Sequence, residues 1–298
     1  MENNPQNNTR LGILLMIMTT FVFALQDVIS RYLATNYNVF SVVMIRYWFF
    51  AMFVIIFAVS KKSSKGGFHK VVATKHLYLQ ILRGILLVSE VCVMIYAFTK
   101  LGLVESHAIF TFYPLLVVAL SGPILKEKIG LERWLIICFG FVGVMIILQP
   151  SANIFNFNII IPLFSALLFA LYGILTRYVS RNDPAETSFF WTGISGAVAI
   201  SLVGPIFWMP LSKVDWFWMI LLCFAGILGH YLLIKTFEAA EASAVQPFSY
   251  FQFIFASAFG VLIFKEIISM KIIVGSLVII LAGLCALWVE KKFSKQKP

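Results

Sequence analysis

Ten apolar stretches, each about as long as a bilayer is thick, leave this chain one kind of fold. They fall near residues 11–33, 39–59, 77–99, 104–125, 131–148, 158–179, 187–209, 215–236, 243–264 and 270–289. Hydrocarbon offers no hydrogen-bond partner to backbone N–H and C=O groups, so an open chain crosses it as a helix of roughly 17–25 residues. The pattern predicts an all-α integral membrane protein of ten transmembrane helices with short connections. Composition agrees, since 61% of the 298 residues are apolar and 12% charged, against about 45–50% and 25% in soluble domains. The first run, reaching Leu33, is too long for a signal-peptide core and is expected to stay as the first span. Cys92, Cys138, Cys223 and Cys285 each lie inside an apolar run without metal-ligand spacing, which reads as four structural thiols and no metal.

An excess of bases over acids (23 against 13) could mark a nucleic-acid binder in a soluble chain. Here the bases follow the spans instead. With both termini on the cytoplasmic side, sixteen bases fall in inside segments, among them Lys61, Lys62, Lys65, Lys70, Lys75, Lys126, Lys128, Arg177, Arg181 and Lys235. Five fall outside (Arg31, Lys100, Lys213, Lys265, Lys271), and Arg46 and Arg83 lie within spans. This bias is the positive-inside signature of a bacterial-type inner membrane protein with cytoplasmic termini, whose large partner is the lipid bilayer and not nucleic acid.

The two halves of the chain repeat each other. Phe23-Ala24-Leu25 with Ser30-Arg31-Tyr32 returns 146 residues later as Phe169-Ala170-Leu171 with Thr176-Arg177-Tyr178, and Lys126-Glu127 returns 139 residues later as Lys265-Glu266. Shortening of the basic loop around Lys61–Lys75 accounts for the difference in shift. The expected units are a first five-helix repeat over 11–148 and a second over 158–290. Five is odd, so the second repeat enters the membrane from the opposite side, the inverted design of many secondary transporters.

Ten spans, a five-plus-five repeat and a Lys-Glu closing the fourth and ninth spans make the chain resemble the drug/metabolite transporter superfamily in its ten-helix EamA-type branch. Pro114-Leu115, Lys126-Glu127-Lys128-Ile129-Gly130, Arg133-Trp134 and Gly140-Phe141-Val142-Gly143-Val144 carry the likeness, with Gln246-Pro247, Tyr250, Lys265-Glu266, Gly275 and Gly283 as counterparts; Arg46 and Arg83-Gly84 also match the branch. Phe253 stands at the repeat position of Pro114, where such transporters often keep a proline, leaving Pro247 to break the ninth span. The resemblance implies transport of amino acids, nucleotide-type metabolites, riboflavin-like vitamins, S-adenosylmethionine or cationic drugs. It also implies a central cavity lined by spans one, three, four, six, eight and nine, with spans five and ten peripheral.

Ionisable groups inside the membrane cost about 3 kcal/mol or more each, so they need a partner, water or a task. Glu90 lies mid-way along the third span, and the 139 shift brings it next to His230. Glu90 reads either as a site for a proton or a substrate cation or as a carboxyl bonding a neighbouring helix; His230 is open between the same roles. Asp27 and Arg46 are expected at similar depth, as a structural ion pair. Arg83 stands seven residues, about 10 Å, from Glu90 along the helix, too far for direct contact. Gln26, Tyr113, Tyr172, Gln246, Tyr250 and Gln252 complete the substrate-binding candidates, since amides and hydroxyls beside aromatic faces suit a planar or cationic metabolite.

Trp208, Trp216, Trp218 and Trp288 read as interfacial belt residues. Pro114 should kink the fourth span. Gly140, Gly143, Gly275 and Gly283 permit close helix approach, which leaves a homodimer open, although their spacing is not GxxxG. No phosphate loop, HExxH, GxSxG or dinucleotide fingerprint is present, so neither a cofactor nor a catalytic apparatus is expected. The sequence therefore reads as a secondary transporter of a small polar or aromatic metabolite working by alternating access, with proton coupling at Glu90 as an expectation. The rivals are a membrane enzyme acting on a lipid-linked substrate, whose loops would offer only the scattered Glu127, Glu132, Asp183, Glu186 and Asp215, and a passive channel.

Overall fold

The computed structural model describes residues 9–60, 67–125, 131–148, 157–240 and 245–294. Helix occupies every one of the ten apolar stretches, as the lipid argument requires. In chain order the helices are α1 (Thr9–Asn36), α2 (Val39–Ser60), the short α3 (Gly67–Val72), α4 (Leu77–Phe110), α5 (Tyr113–Leu125), α6 (Leu131–Leu148), α7 (Ile160–Val179), α8 (Ala185–Ser201), α9 (Lys213–Ala239), α10 (Phe251–Phe264) and α11 (Met270–Ser294). Short 3₁₀ turns precede α7 and α10 and follow α8. Five of these helices are long and apolar enough to cross a membrane on length and composition alone, while the apolar cores of α6, α10 and α11 are shorter.

Spans three and four are not separated by a loop. One helix, α4, carries both across a sharp bend at Gly102 (φ 85°, ψ 175°), a backbone conformation that strains any residue with a Cβ. The fourth span then breaks again at Thr111–Phe112, and Pro114 sits in the first turn of α5, where its missing N–H costs nothing. Thus Pro114 starts a helix where a kink within one was expected. In the ninth span the Gln246–Tyr250 3₁₀ turn ahead of α10 performs the same interruption with Pro247.

Helix contacts obey an exchange of the two halves. Among the most extensive partners are α1 with α9 and α4 with α7, which swap when first-half helices are replaced by their second-half counterparts. The same exchange turns α5 on α7 into α10 on α1, and maps α2 on α8 and α6 on α11 onto themselves. That is the signature of a pseudo-two-fold axis. Large apolar side chains along α6, α9 and α11 stay exposed, Trp216, Trp218 and Trp288 among them, as does Trp208 after the turn that follows α8, as a lipid-facing surface requires.

Packing of α6 on α11 rests on glycine. A Cβ at Gly143 would stand 2.6 Å from the Gly275 carbonyl oxygen, and one at Gly275 equally close to that of Gly143. Tyr250 occupies the space at Gly283, and Leu115 that at Gly140. All four glycines therefore serve packing within one chain.

Two carboxylates tie the repeats together at opposite ends of the bundle. Asp215, in the first turn of α9, accepts from Tyr37 (2.7 Å) and Tyr32 (3.0 Å) near the α1–α2 corner. Asp183, in the α7–α8 corner, accepts from Thr74, the Lys75 N–H (3.1 Å) and Gln80 (2.9 Å) at the start of α4. Each joins a corner of one repeat to the third span of the other. Burial alone would raise the Asp183 carboxyl, but the hydrogen bonds from Thr74, Gln80 and Lys75, with His76 nearby, outweigh it and hold the group below its usual 3.8.

Candidate functional site

Where the halves meet, a cavity lies between α1, α2, α4, α7, α9 and α10. Its volume is about 40 Å³, room for a few waters, and it is walled by Phe23, Phe98, Phe110 and Phe169 with Gln26, Asp27, Arg46, Glu90, His107, His230 and Gln252 as its polar groups. The lining comes from spans one, three, four, six, eight and nine, as the resemblance implied, with the addition of Arg46 from span two.

The expected ion pair is not formed. Gln26 and Asp27 are successive residues of α1 and so point about 100° apart around the helix. Gln26 faces α2 and α9, and its Oε1 accepts from Arg46 Nη2 at 2.9 Å; the same Nη2 lies 3.2 Å from His230 Nε2. Asp27 faces α4 and α10, where its Oδ2 lies 3.1 Å from His107 Nε2 and accepts from Gln252 Nε2 at 3.2 Å. Similar depth was a sound expectation, but helix rotation turns the acid away from the arginine. Among the described residues no carboxylate comes within salt-bridge distance of Arg46, which is 4% exposed and has Nη1 without a partner.

Glu90 and His230 both reach the cavity but do not meet. Glu90 Oε1 accepts from Ser165 of α7 at 2.8 Å, while His230 is packed between the rings of Phe23 and Phe50. Arg83 lies outside the cavity lining, fully buried, donating through Nε to Thr176 (2.9 Å) and through Nη1 to Gln80, over the face of Tyr172. Its contacts are those of a helix clamp.

Of the remaining candidates, Gln26 and Gln252 line the cavity and the three tyrosines do not. Tyr113 packs on Phe110 and Phe169, Tyr172 lies under Arg83, and Tyr250 fills the space at Gly283. The Gln246 side chain lies outside the described residues, as do Lys126–Gly130 with the first Lys-Glu. His107 was missed; it is a lone imidazole in an apolar span, and depth equal to Asp27 is the only signal that could have marked it. Phe98 stacks on it at 5.3 Å.

At the bend between the cavity residues Phe98 and His107, the second Lys-Glu ties α10 to α4 and α1. Lys265 adopts a left-handed backbone (φ 57°) that ends α10 and turns Glu266 back over the bend at Gly102. The Glu266 carboxylate caps the helix beyond the bend, accepting from the N–H groups of Leu103 (2.9 Å) and Val104 (2.8 Å), and pairs with Arg31 of α1. A Cβ at Gly102 would strike Glu266 Oε1 at 2.5 Å, so glycine serves both the bend and the clasp.

The sequence profile of the EamA-like transporter family matches residues 10–149 and again 156–288. The chain belongs to this family. Among the relatives of this EamA-family chain are an S-adenosylmethionine uptake transporter of Rickettsia prowazekii, 25% identical over 288 residues (96% of this chain, 95% of the relative), and one of Rickettsia bellii, 26% identical over 297 residues and covering 99% of each. A riboflavin transporter of Vibrio cholerae is 25% identical over 292 residues, 96% of each chain. A solved crystal structure shares the fold with a TM-score of 0.62 over 96% of this chain and 98% of its own, at 15% identity. The chain is thus a multi-pass membrane protein built from two EamA repeats, and a transporter of a small metabolite.

Proposed function

We propose that the chain is a secondary transporter, with no enzymatic activity, that carries a small polar or aromatic metabolite across a bacterial inner membrane by alternating access. The observation that carries this reading is the polar-studded cavity on the seam between two exchange-related halves. Five crossings per repeat (11–148 and 158–290) give the halves opposite orientations. Two arrangements of similar energy then expose the same cavity to opposite sides. Charge distribution supports cytoplasmic termini.

S-adenosylmethionine and riboflavin, carried by the named relatives, and amino acids are the first substrates to test. Glu90 is the candidate for proton coupling, being a cavity carboxyl held by one neutral hydroxyl. Purified protein in proteoliposomes should accumulate at least one labelled member of this panel, and a proton gradient should raise that accumulation. Absence of uptake for every member, by protein shown to be folded, overturns the reading.

A further inference from the structure

We infer that the cavity recognises a zwitterionic α-amino-carboxylate head group, with its carboxylate on Arg46 and His230 and its ammonium held between Asp27 and Glu90. This rests on the transport reading and narrows its substrate class.

The argument starts from unsatisfied donors. Arg46 has only donors, so the His230 Nε2 it approaches at 3.2 Å must accept, and the ring hydrogen must then sit on Nδ1. Among the described residues neither His230 Nδ1 nor Arg46 Nη1 has a partner, and both side chains are more than nine-tenths buried while lining the cavity. Two buried donors without acceptors are costly to leave unmet. A buried guanidinium bonded only to neutral groups carries a further cost, which an anion removes. A carboxylate, acceptor-only with two oxygens, answers both needs.

The same cavity also carries carboxyl groups. Asp27 and Glu90 line the cavity, Asp27 with lone pairs beyond its contact with His107 and its bond from Gln252, and Glu90 with lone pairs beyond its bond from Ser165. Phe98, Phe110 and Phe169 stand beside them, and aromatic faces attract ammonium and other onium groups. The sequential pair Gln26 and Asp27 on α1 separates the poles: Gln26 steadies the arginine, and Asp27 faces away from it. An ion pair between Asp27 and Arg46 would have neutralised the site. Without that pair the cavity keeps both a guanidinium and carboxyl groups for a zwitterion to meet, whereas a neutral ring system such as riboflavin satisfies neither.

The test uses competition against uptake of labelled S-adenosylmethionine and, in parallel, labelled riboflavin in proteoliposomes. Wild type should take up the zwitterion, and removing the carboxylate by decarboxylation, or the ammonium by exchange for a keto group, should weaken competition by about tenfold or more each, because a polar site rejects an analogue that leaves its groups unpaired. Arg46→Gln should raise KM for S-adenosylmethionine by about tenfold or more while changing the half-inhibitory concentration of the decarboxylated analogue less than about threefold. The wild-type comparison needs no variant and so stands even if Arg46→Gln fails to fold. Riboflavin uptake without zwitterion uptake would overturn the inference and leave the transport reading intact, as would equal competition by the carboxylate-free analogue. Uptake of neither compound, with no amino acid taken up either, would overturn the inference together with the transport reading.

Discussion

Glu266→Gln isolates the clasp over Gly102. The wild-type carboxylate receives three donors: the N–H groups of Leu103 and Val104 at 2.9 and 2.8 Å, and the Arg31 guanidinium. Glutamine keeps the shape but offers one acceptor oxygen, and its NH₂ faces donors. Hydrogen bonds to a charged group contribute about 1.5–3 kcal/mol, and at about 1.4 kcal/mol per tenfold the substitution should shift the closed-to-open balance by roughly ten- to hundredfold. Both partners are largely sheltered, at 18% and 14% side-chain exposure, so solvent weakens that figure only in part. The assay places a single cysteine at the cavity position Met94 (M94C), with the four native cysteines replaced by alanine, and measures its reaction with a membrane-impermeant maleimide added to right-side-out vesicles. Glu266→Gln should speed labelling from outside by at least about tenfold and leave or slow labelling from inside. Equal rates from outside, in protein that elutes as a single folded species, would refute the gate reasoning. Faster labelling from both sides would refute it too, by showing that the clasp supports the fold and closes no side.

Four shorter tests bear on other parts of the molecule. Glu90→Gln should retain substrate binding and substrate exchange but lose accumulation driven by a proton gradient; wild-type accumulation would reduce Glu90 to a packing group. Gly275→Ala should cost about 1–3 kcal/mol by overpacking α6 against α11, visible as a lower Tm in detergent, and an unchanged Tm would mean that the helices separate freely. Asp183 is held below the usual 3.8, so its stabilisation is fully present above that pH and lost as pH falls through the lowered value. The Tm deficit of Asp183→Asn should therefore hold constant at higher pH and shrink below about 3.8; a gap that stays constant down to pH 3 would count against the hydrogen bonds from Thr74, Gln80 and Lys75. A cytoplasm-only reporter should be active after Pro298 or within Lys61–Lys75 and silent in Gln149–Asn158, and the reverse pattern would invert the assigned orientation.

What the sequence determined by itself was helix, repeat and depth. Ten apolar runs leave backbone groups nowhere to bond except within a helix, so fold class follows from hydropathy without any tertiary information. Phe23–Tyr32 and Phe169–Tyr178 expose the duplication because the same residues were copied. Position along a span fixes depth, which is why Asp27, Arg46, Glu90 and His230 all read as groups needing a task. Depth says nothing of direction. Whether Asp27 meets Arg46 or His107 depends on rotation about α1, set by how α9 and α10 pack on it, and the span lengths carry no trace of that. The tyrosines illustrate the same limit: Tyr113, Tyr172 and Tyr250 lie on cavity helices yet turn into helix contacts, and Tyr250 does so because Gly283, over thirty residues away, leaves room. Lys265-Glu266 was visible as a repeat signature, but its chemistry came from a left-handed turn that carries the carboxylate to a helix broken at Gly102. Only tertiary packing could decide these partners, because side chains distant in sequence compete for each buried polar group and the winner is set by helix rotation and by where glycine makes space.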